Sequence, residues 1–184
     1  MVRIRPACLS DASAIADVQV ETWRDTYAGL IPDRTLLGLS RTSHSENWRR
    51  ILRDEGADSI TRVAEGPDSR VVGFANAGRA RPTNLPHDGE VYTLYVLPDH
   101  QGAGYGRGLL GALFSALRTA GCRSALVWVL AGNPARFFYE AMGGTLIATR
   151  EEPFHGVVLS ECAYGWPDLR RHAEMRTKAS NSSA

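Results

Sequence analysis

The sequence predicts a mixed α/β domain built around one sheet. Three observations carry that expectation. Strand-like segments, alternating or wholly apolar and rich in β-branched residues, are interspersed with segments whose apolar residues recur at helical spacing. Their order is strand, helices, three strands, helix, strand, helix, two strands. Such an order places helices against a common sheet. No interdomain linker or internal repeat divides the chain, so one domain over 1–168 and a polar, flexible tail over 169–184 are expected.

Each element has its own local signal. Val2 to Arg5 alternates apolar and basic residues, a short strand. Ser10-Asp11 offers an N-cap with acid in the first turn, and Ala14, Ile15, Val18 and Thr22 follow at helical spacing, giving a helix over 11–24. Ile31-Pro32-Asp33 opens a short second helix. Ser43 caps a third over 44–54, with Trp48, Ile51 and Leu52 inward. Ser59 to Glu65 and Val71 to Arg79 form a hairpin across Gly66-Pro67-Asp68-Ser69. Glu90 to Leu97 is the strongest strand, and Pro98 ends it. Leu109, Leu110, Leu113, Phe114 and Leu117 mark a helix over 107–120. Ala125 to Leu130 is nearly all apolar, as in a buried parallel strand. A helix over 134–142 and strands over 145–150 and 157–164 complete the domain.

Composition removes several function classes. In 184 residues, 21 basic side chains stand against 20 acidic, a formal charge of +1. A protein that coats nucleic acid or an anionic membrane usually carries a clear basic excess; neither partner is expected. The longest apolar runs, such as 125–131, fall well short of the roughly twenty residues of a membrane span. No apolar stretch follows Met1-Val2-Arg3-Ile4-Arg5-Pro6, so no secretory peptide is expected, and Cys8, Cys122 and Cys162 are odd in number and dispersed. Reduced thiols in a cytoplasmic protein fit better than a disulfide framework. The five histidines have no metal-ligand spacing, so no metal is expected.

One segment carries chemistry. Gln101-Gly102-Ala103-Gly104-Tyr105-Gly106-Arg107 joins a strand to a helix. Closely spaced glycines let backbone approach a ligand. The unpaired first N–H groups of the helix and its dipole make a phosphate site without a basic patch. A tight turn with close helix packing would use the same glycines. A P-loop is excluded, because the only lysine is Lys178. Gly106, Gly108 and Gly111 match a dinucleotide pattern formally, but inside the predicted helix and with no acid about twenty residues beyond. No nucleophile elbow is present.

Gln101-x-x-Gly104-x-Gly106 after Leu94-Tyr95-Val96-Leu97-Pro98 resembles the acetyl-CoA motif of the GNAT superfamily of N-acetyltransferases. Asn133-Pro134-Ala135-Arg136-Phe137-Phe138-Tyr139-Glu140 resembles that superfamily's second signature. The resemblance extends from Val2 to Tyr164 in element order. It implies a GNAT-like fold, with a central mixed sheet of about seven strands that is splayed at its central strand.

The resemblance also implies roles. Gln101 to Arg107 would hold the CoA pyrophosphate through backbone N–H groups. Leu94, Tyr95 and Val96 would pair with pantetheine and offer an oxyanion donor. Asn133 and Phe138 would contact the CoA arm; the Asn133-to-Tyr139 spacing is one residue shorter than in the superfamily's commonest form. Tyr139 would protonate the leaving thiolate. Glu90 stands where several members keep a glutamate that works through water, and would deprotonate the amine. In simple alternation Glu90, Tyr92, Leu94 and Val96 share one face, so it can point toward the cleft, while a solvated strand-end glutamate is the other reading. Trp23 and Tyr27, one helical turn apart, lie where the superfamily builds its acceptor wall and would flank the acceptor or serve as packing alone. Apart from the resemblance, Arg79, Arg81 and His155 are candidates for the rim.

The expected function is acetyl-CoA-dependent transfer to a small-molecule or peptide amine, by direct attack in a ternary complex, in a monomer or homodimer. No motif positions a cysteine for an acyl-enzyme. An acyl-CoA sensor on the same scaffold is the alternative. A nucleotide-linked oxidoreductase is a second, resting on the glycine match inside the helix.

Overall fold

The computed structural model describes residues 2–53 and 59–176. The chain runs β1 (Arg3–Pro6), α1 (Ala12–Thr26), α2 (Asp33–Leu37), α3 (Arg41–Arg53), β2 (Ile60–Glu65), β3 (Val71–Arg79) and β4 (Gly89–Val96). It continues through α4 (Tyr105–Thr119), β5 (Ala125–Leu130), α5 (Ala135–Ala141), β6 (Thr145–Phe154) and β7 (Val157–Trp166). All seven strands form one sheet in the order β1-β2-β3-β4-β5-β7-β6. Only β4 and β5 are parallel; every other neighbouring pair is antiparallel.

The sheet buries a core on each face. On one, the α4 side chains Leu109, Leu110, Leu113, Phe114 and Leu117 meet Ala75, Val91 and Val127, all fully or nearly fully buried. On the other, Ile15 and Val18 of α1 and Trp48 and Leu52 of α3 pack on Val63 and Phe74. Trp48 lies edge-on to Phe74, with centroids 5.0 Å apart. This arrangement follows from the apolar periodicities, because each helix presents one stripe to the sheet.

Three expectations change. First, neither Ser10 nor Asp11 caps α1 through its side chain. The Asp11 carboxylate instead accepts from the Cys8 N–H at 2.8 Å and from Arg5 at 2.7 and 2.8 Å. It thereby closes the short 3-10 helix Leu9–Asp11 and ties it to β1. Second, β6 and β7 run to Phe154 and Trp166, longer than patterning indicated. His155 and Gly156 at the hairpin tip both have positive φ, +48° and +85°, which suits a two-residue turn. Third, the chain beyond 168 is not all tail. A 3-10 helix spans Leu169–Arg176, Leu169 is fully buried, and the His172 ring lies 6.1 Å from that of Phe114. Residues 177–184 of the expected tail, and position 54 at the end of the expected third helix, lie outside the described residues.

Candidate active site

The site arises where two parallel strands part. β4 and β5 keep register for only three pairs, Gly89 with Ala125, Glu90 with Leu126 and Val91 with Val127. Their base is clamped. The Asp88 carboxylate accepts from the N–H of Ser124 at 2.8 Å, its hydroxyl at 2.6 Å and the N–H of Arg123 at 2.9 Å. A Cβ at position 89 would lie 2.9 Å from the Ser124 carbonyl, so the strands approach this closely because Gly89 has none.

Above the clamp, β4 stays with β3 while β5 stays with β7. The register between β3 and β4 steps at Asn76/Ala77, where Tyr92 is the extra residue. Such a bulge bends its strand. From Tyr92 to Val96, β4 therefore has no strand partner on its β5 side. A cleft of roughly 960 Å³ opens there, lined by residues from both faces of the sheet.

The glycine turn forms the mouth on the α4 face. Pro98–His100 makes a 3-10 helix, and Gln101 donates its Nε2–H to the Val96 carbonyl at 3.1 Å. Gly102 and Gly104 have φ of +75° and +89°, a region open to glycine at little cost. The first α4 N–H with an intrahelical partner is that of Gly108, which bonds to Gly104. The preceding N–H groups at this helix start are the ones left for an anion.

Gln101, Gly102, Gly104, Gly106 and Arg107 line the cleft, as do Leu94, Tyr95 and Val96. Ala103 and Tyr105 do not; they face a small hollow beside Arg3 and Glu65. A Cβ on Gly106 would touch the Phe138 ring at 3.4 Å, so this glycine sets how closely α4 and α5 approach across the mouth. The dinucleotide-like glycines at 106, 108 and 111 all lie within α4, and Gly108 packs against Ile4.

Tyr139 lines the cleft and is buried, 5% exposed. Its ring is fixed by Phe138 at 5.3 Å, Trp166 at 6.1 Å and Tyr164 at 6.4 Å. Burial pushes its phenol far above the usual range, and the nearby Tyr27 adds to the shift. Both effects favour the neutral, proton-bearing phenol. Asn133 is buried and lines the cleft, but its Oδ1 accepts the Ala135 N–H at 2.8 Å and so closes the turn into α5.

On the opposite face, Trp23 and Tyr27 line the cleft with rings 5.2 Å apart, edge to face. The Tyr27 and Tyr95 hydroxyls are 3.3 Å apart, which links α1 to the parted strand. Burial raises both phenols, opposed at Tyr27 by its hydrogen bond with Tyr95.

Glu90 departs from expectation. The bulge at Tyr92 shifts side-chain parity, so Val91, rather than Glu90, packs with Leu94 and Val96 around α4. Glu90 is 1% exposed and is absent from the cleft wall. Its oxygens accept from the Arg81 backbone N–H at 3.0 Å, from Arg81 Nε at 3.1 and 3.2 Å, and from Arg81 Nη2. Arg81 is the residue that reaches the cleft, over the Tyr92 ring. Arg79 and His155, the other expected rim residues, are not on the wall.

Sequence reasoning missed Trp128, Arg150, Glu152 and Glu161 on this wall. A glutamate among the apolar residues of β7 was a signal, but its direction depends on the pairing of β7 with β5.

Residues 21–144 match the acetyltransferase (GNAT) family. The chain belongs to that family. It is 36% identical over 170 residues to YuaI of Bacillus subtilis (strain 168), an uncharacterized N-acetyltransferase, covering 92% of this chain and 95% of that one. It is 30% identical over 109 residues to the [ribosomal protein bS18]-alanine N-acetyltransferase of Haemophilus influenzae, covering 59% and 71%. Among solved structures, yncA of Salmonella typhimurium, solved with acetyl-CoA, superposes with a TM-score of 0.66 at 23% identity, covering 92% of this chain and 94% of that one. The mixed seven-stranded sheet is thus the GNAT fold, and the parted β4 and β5 are its central strands.

Proposed function

We propose that this chain transfers the acetyl group of acetyl-CoA directly to a primary amine of a small molecule or peptide. The observation that carries the reading is the opening between β4 and β5, with a glycine-lined helix start at one mouth and a buried phenol inside. The residues present suit this co-substrate. Backbone N–H groups from Gly102 to Arg107 can hold a pyrophosphate, and the unpaired side of β4 from Tyr92 to Val96 can pair with the amide groups of pantetheine. When bound, acetyl-CoA supplies an acyl group activated as a thioester.

Leu94, Tyr95 and Val96 set the thioester height through backbone hydrogen bonds, and an N–H of this edge stabilises the developing oxyanion. Phe138 packs against the arm beside Gly106. Tyr139 gives its proton to the departing sulfur. Since a phenol is a weaker acid than a thiol near 8.5, and burial weakens this one further, the transfer depends on placing the hydroxyl at the sulfur. Trp23 and Tyr27 hold the acceptor from the other face. Thiol release from acetyl-CoA, followed across amino acids, diamines and short peptides, tests the reading. Amine-dependent release is expected; saturable acetyl-CoA binding with no release on any amine would contradict it.

A further inference from the structure

An acceptor amine arrives protonated. An alkyl ammonium with pKa about 10.4 is under one part in a thousand neutral at pH 7, and only the neutral form has a lone pair. The acceptor half of the cleft must therefore take a proton. Glu90 is poorly placed to do so, because Arg81 donors occupy both of its oxygens and Arg81 stands between it and the cleft.

Among the described residues, the carboxylates that do line the cleft are Asp25, Glu152 and Glu161. Asp25 is exposed, and the Glu152 side chain is 50% exposed. Glu161 is 19% exposed and sits on β7 opposite Leu130, the last residue of β5 before the wall turns into α5. Arg150 Nε and Nη2 hold one of its oxygens, Oε2, at 2.8 and 2.7 Å. The Arg150 guanidinium in turn lies 4.0 Å over the Trp128 ring, which keeps the pair in place. The second oxygen, Oε1, has no hydrogen-bond donor among the described residues. Glu161 thus offers a fixed, partly desolvated carboxylate with one oxygen free.

Building on the transferase reading above, we propose that Glu161 is the catalytic residue that binds the acceptor ammonium and takes its proton. The charged and titratable groups facing it are Arg150 and Glu152 of β6, Tyr27 of α1 and Arg81 of the loop after β3. The steps balance. The ammonium gives one proton to Glu161 Oε1, directly or through one water, and the freed lone pair forms the C–N bond to the acetyl carbon. The C–S bond breaks as Tyr139 protonates the sulfur. A second proton leaves the new amide nitrogen and restores Tyr139, while Glu161 returns its proton to solvent. The net products are the amide, free CoA thiol and one proton.

The test compares wild type with Glu161→Gln and Glu90→Gln, measuring amine-dependent thiol release from pH 6.5 to 9.5 and acetyl-CoA binding by calorimetry. Gln retains an oxygen for Arg150 but cannot take a proton. For Glu161→Gln, kcat/KM for the amine should fall at least about a hundredfold at pH 7. That deficit should shrink by up to about tenfold per pH unit as solvent supplies neutral amine, with acetyl-CoA affinity unchanged within twofold. Full activity of Glu161→Gln, or a deficit constant with pH, would overturn the role; so would the pH signature appearing in Glu90→Gln alone. An inactive wild type that binds acetyl-CoA would overturn the transferase reading, and this role with it.

Discussion

Tyr139 and Gly104 are where single residues decide most. Tyr139 is buried, walled by three aromatic rings and held protonated. Tyr139→Phe keeps the ring contacts and removes the hydroxyl proposed as the acid. Its kcat should fall about a hundredfold with acetyl-CoA affinity unchanged, as read by steady-state kinetics and calorimetry. Because burial raises this phenol, its titration should produce no basic limb in the wild-type profile up to pH 10. Gly104 has φ of +89° at the entrance to α4. A Cβ there costs roughly 1–2 kcal/mol in the left-handed region. Gly104→Ala should therefore weaken acetyl-CoA about tenfold in calorimetry as the turn shifts to relieve strain. Both residues were legible in the sequence, because a glycine turn and a short helical signature are local patterns.

Elements show where that legibility ends. Most strand and helix cores follow from periodicity, and β5 spans the residues its apolar run marked. The face of Glu90 does not follow, because the bulge at Tyr92 is a register event between two strands. Glu161 stayed hidden for a similar reason, since its direction depends on β7 pairing with β5. Leu169 reads as the start of a polar tail, yet it is buried beside α4. Acid stability also belongs to this scale. The Arg5 guanidinium, helped by the Cys8 N–H, holds the Asp11 carboxyl at about 2, below its ordinary value. A depressed carboxyl contributes stability above its unfolded pKa, near 3.9, which is lost as pH falls through the folded value. Stability should thus fall between pH 4 and pH 2. Asp11→Asn should be less stable at pH 7 and show a flatter acid limb in chemical denaturation.

Across the whole molecule, a near-zero net charge meets the polyanionic co-substrate proposed for it. The fold reconciles them by offering one helix start and one open strand edge instead of a basic surface. Binding at such a site couples to folding. At a hundred times Kd, acetyl-CoA should add about 2.7 kcal/mol. For a domain of this size that is about 5–10 °C in Tm. NAD should give no shift in the same thermal scan. The most direct measurement of the central claim is mass spectrometry of enzyme and amine together after a single turnover with isotopically labelled acetyl-CoA. The account predicts label in the acetylated amine and none on the protein. Label on a cysteine of the enzyme, or label confined to unreacted acetyl-CoA with every amine supplied, would contradict it.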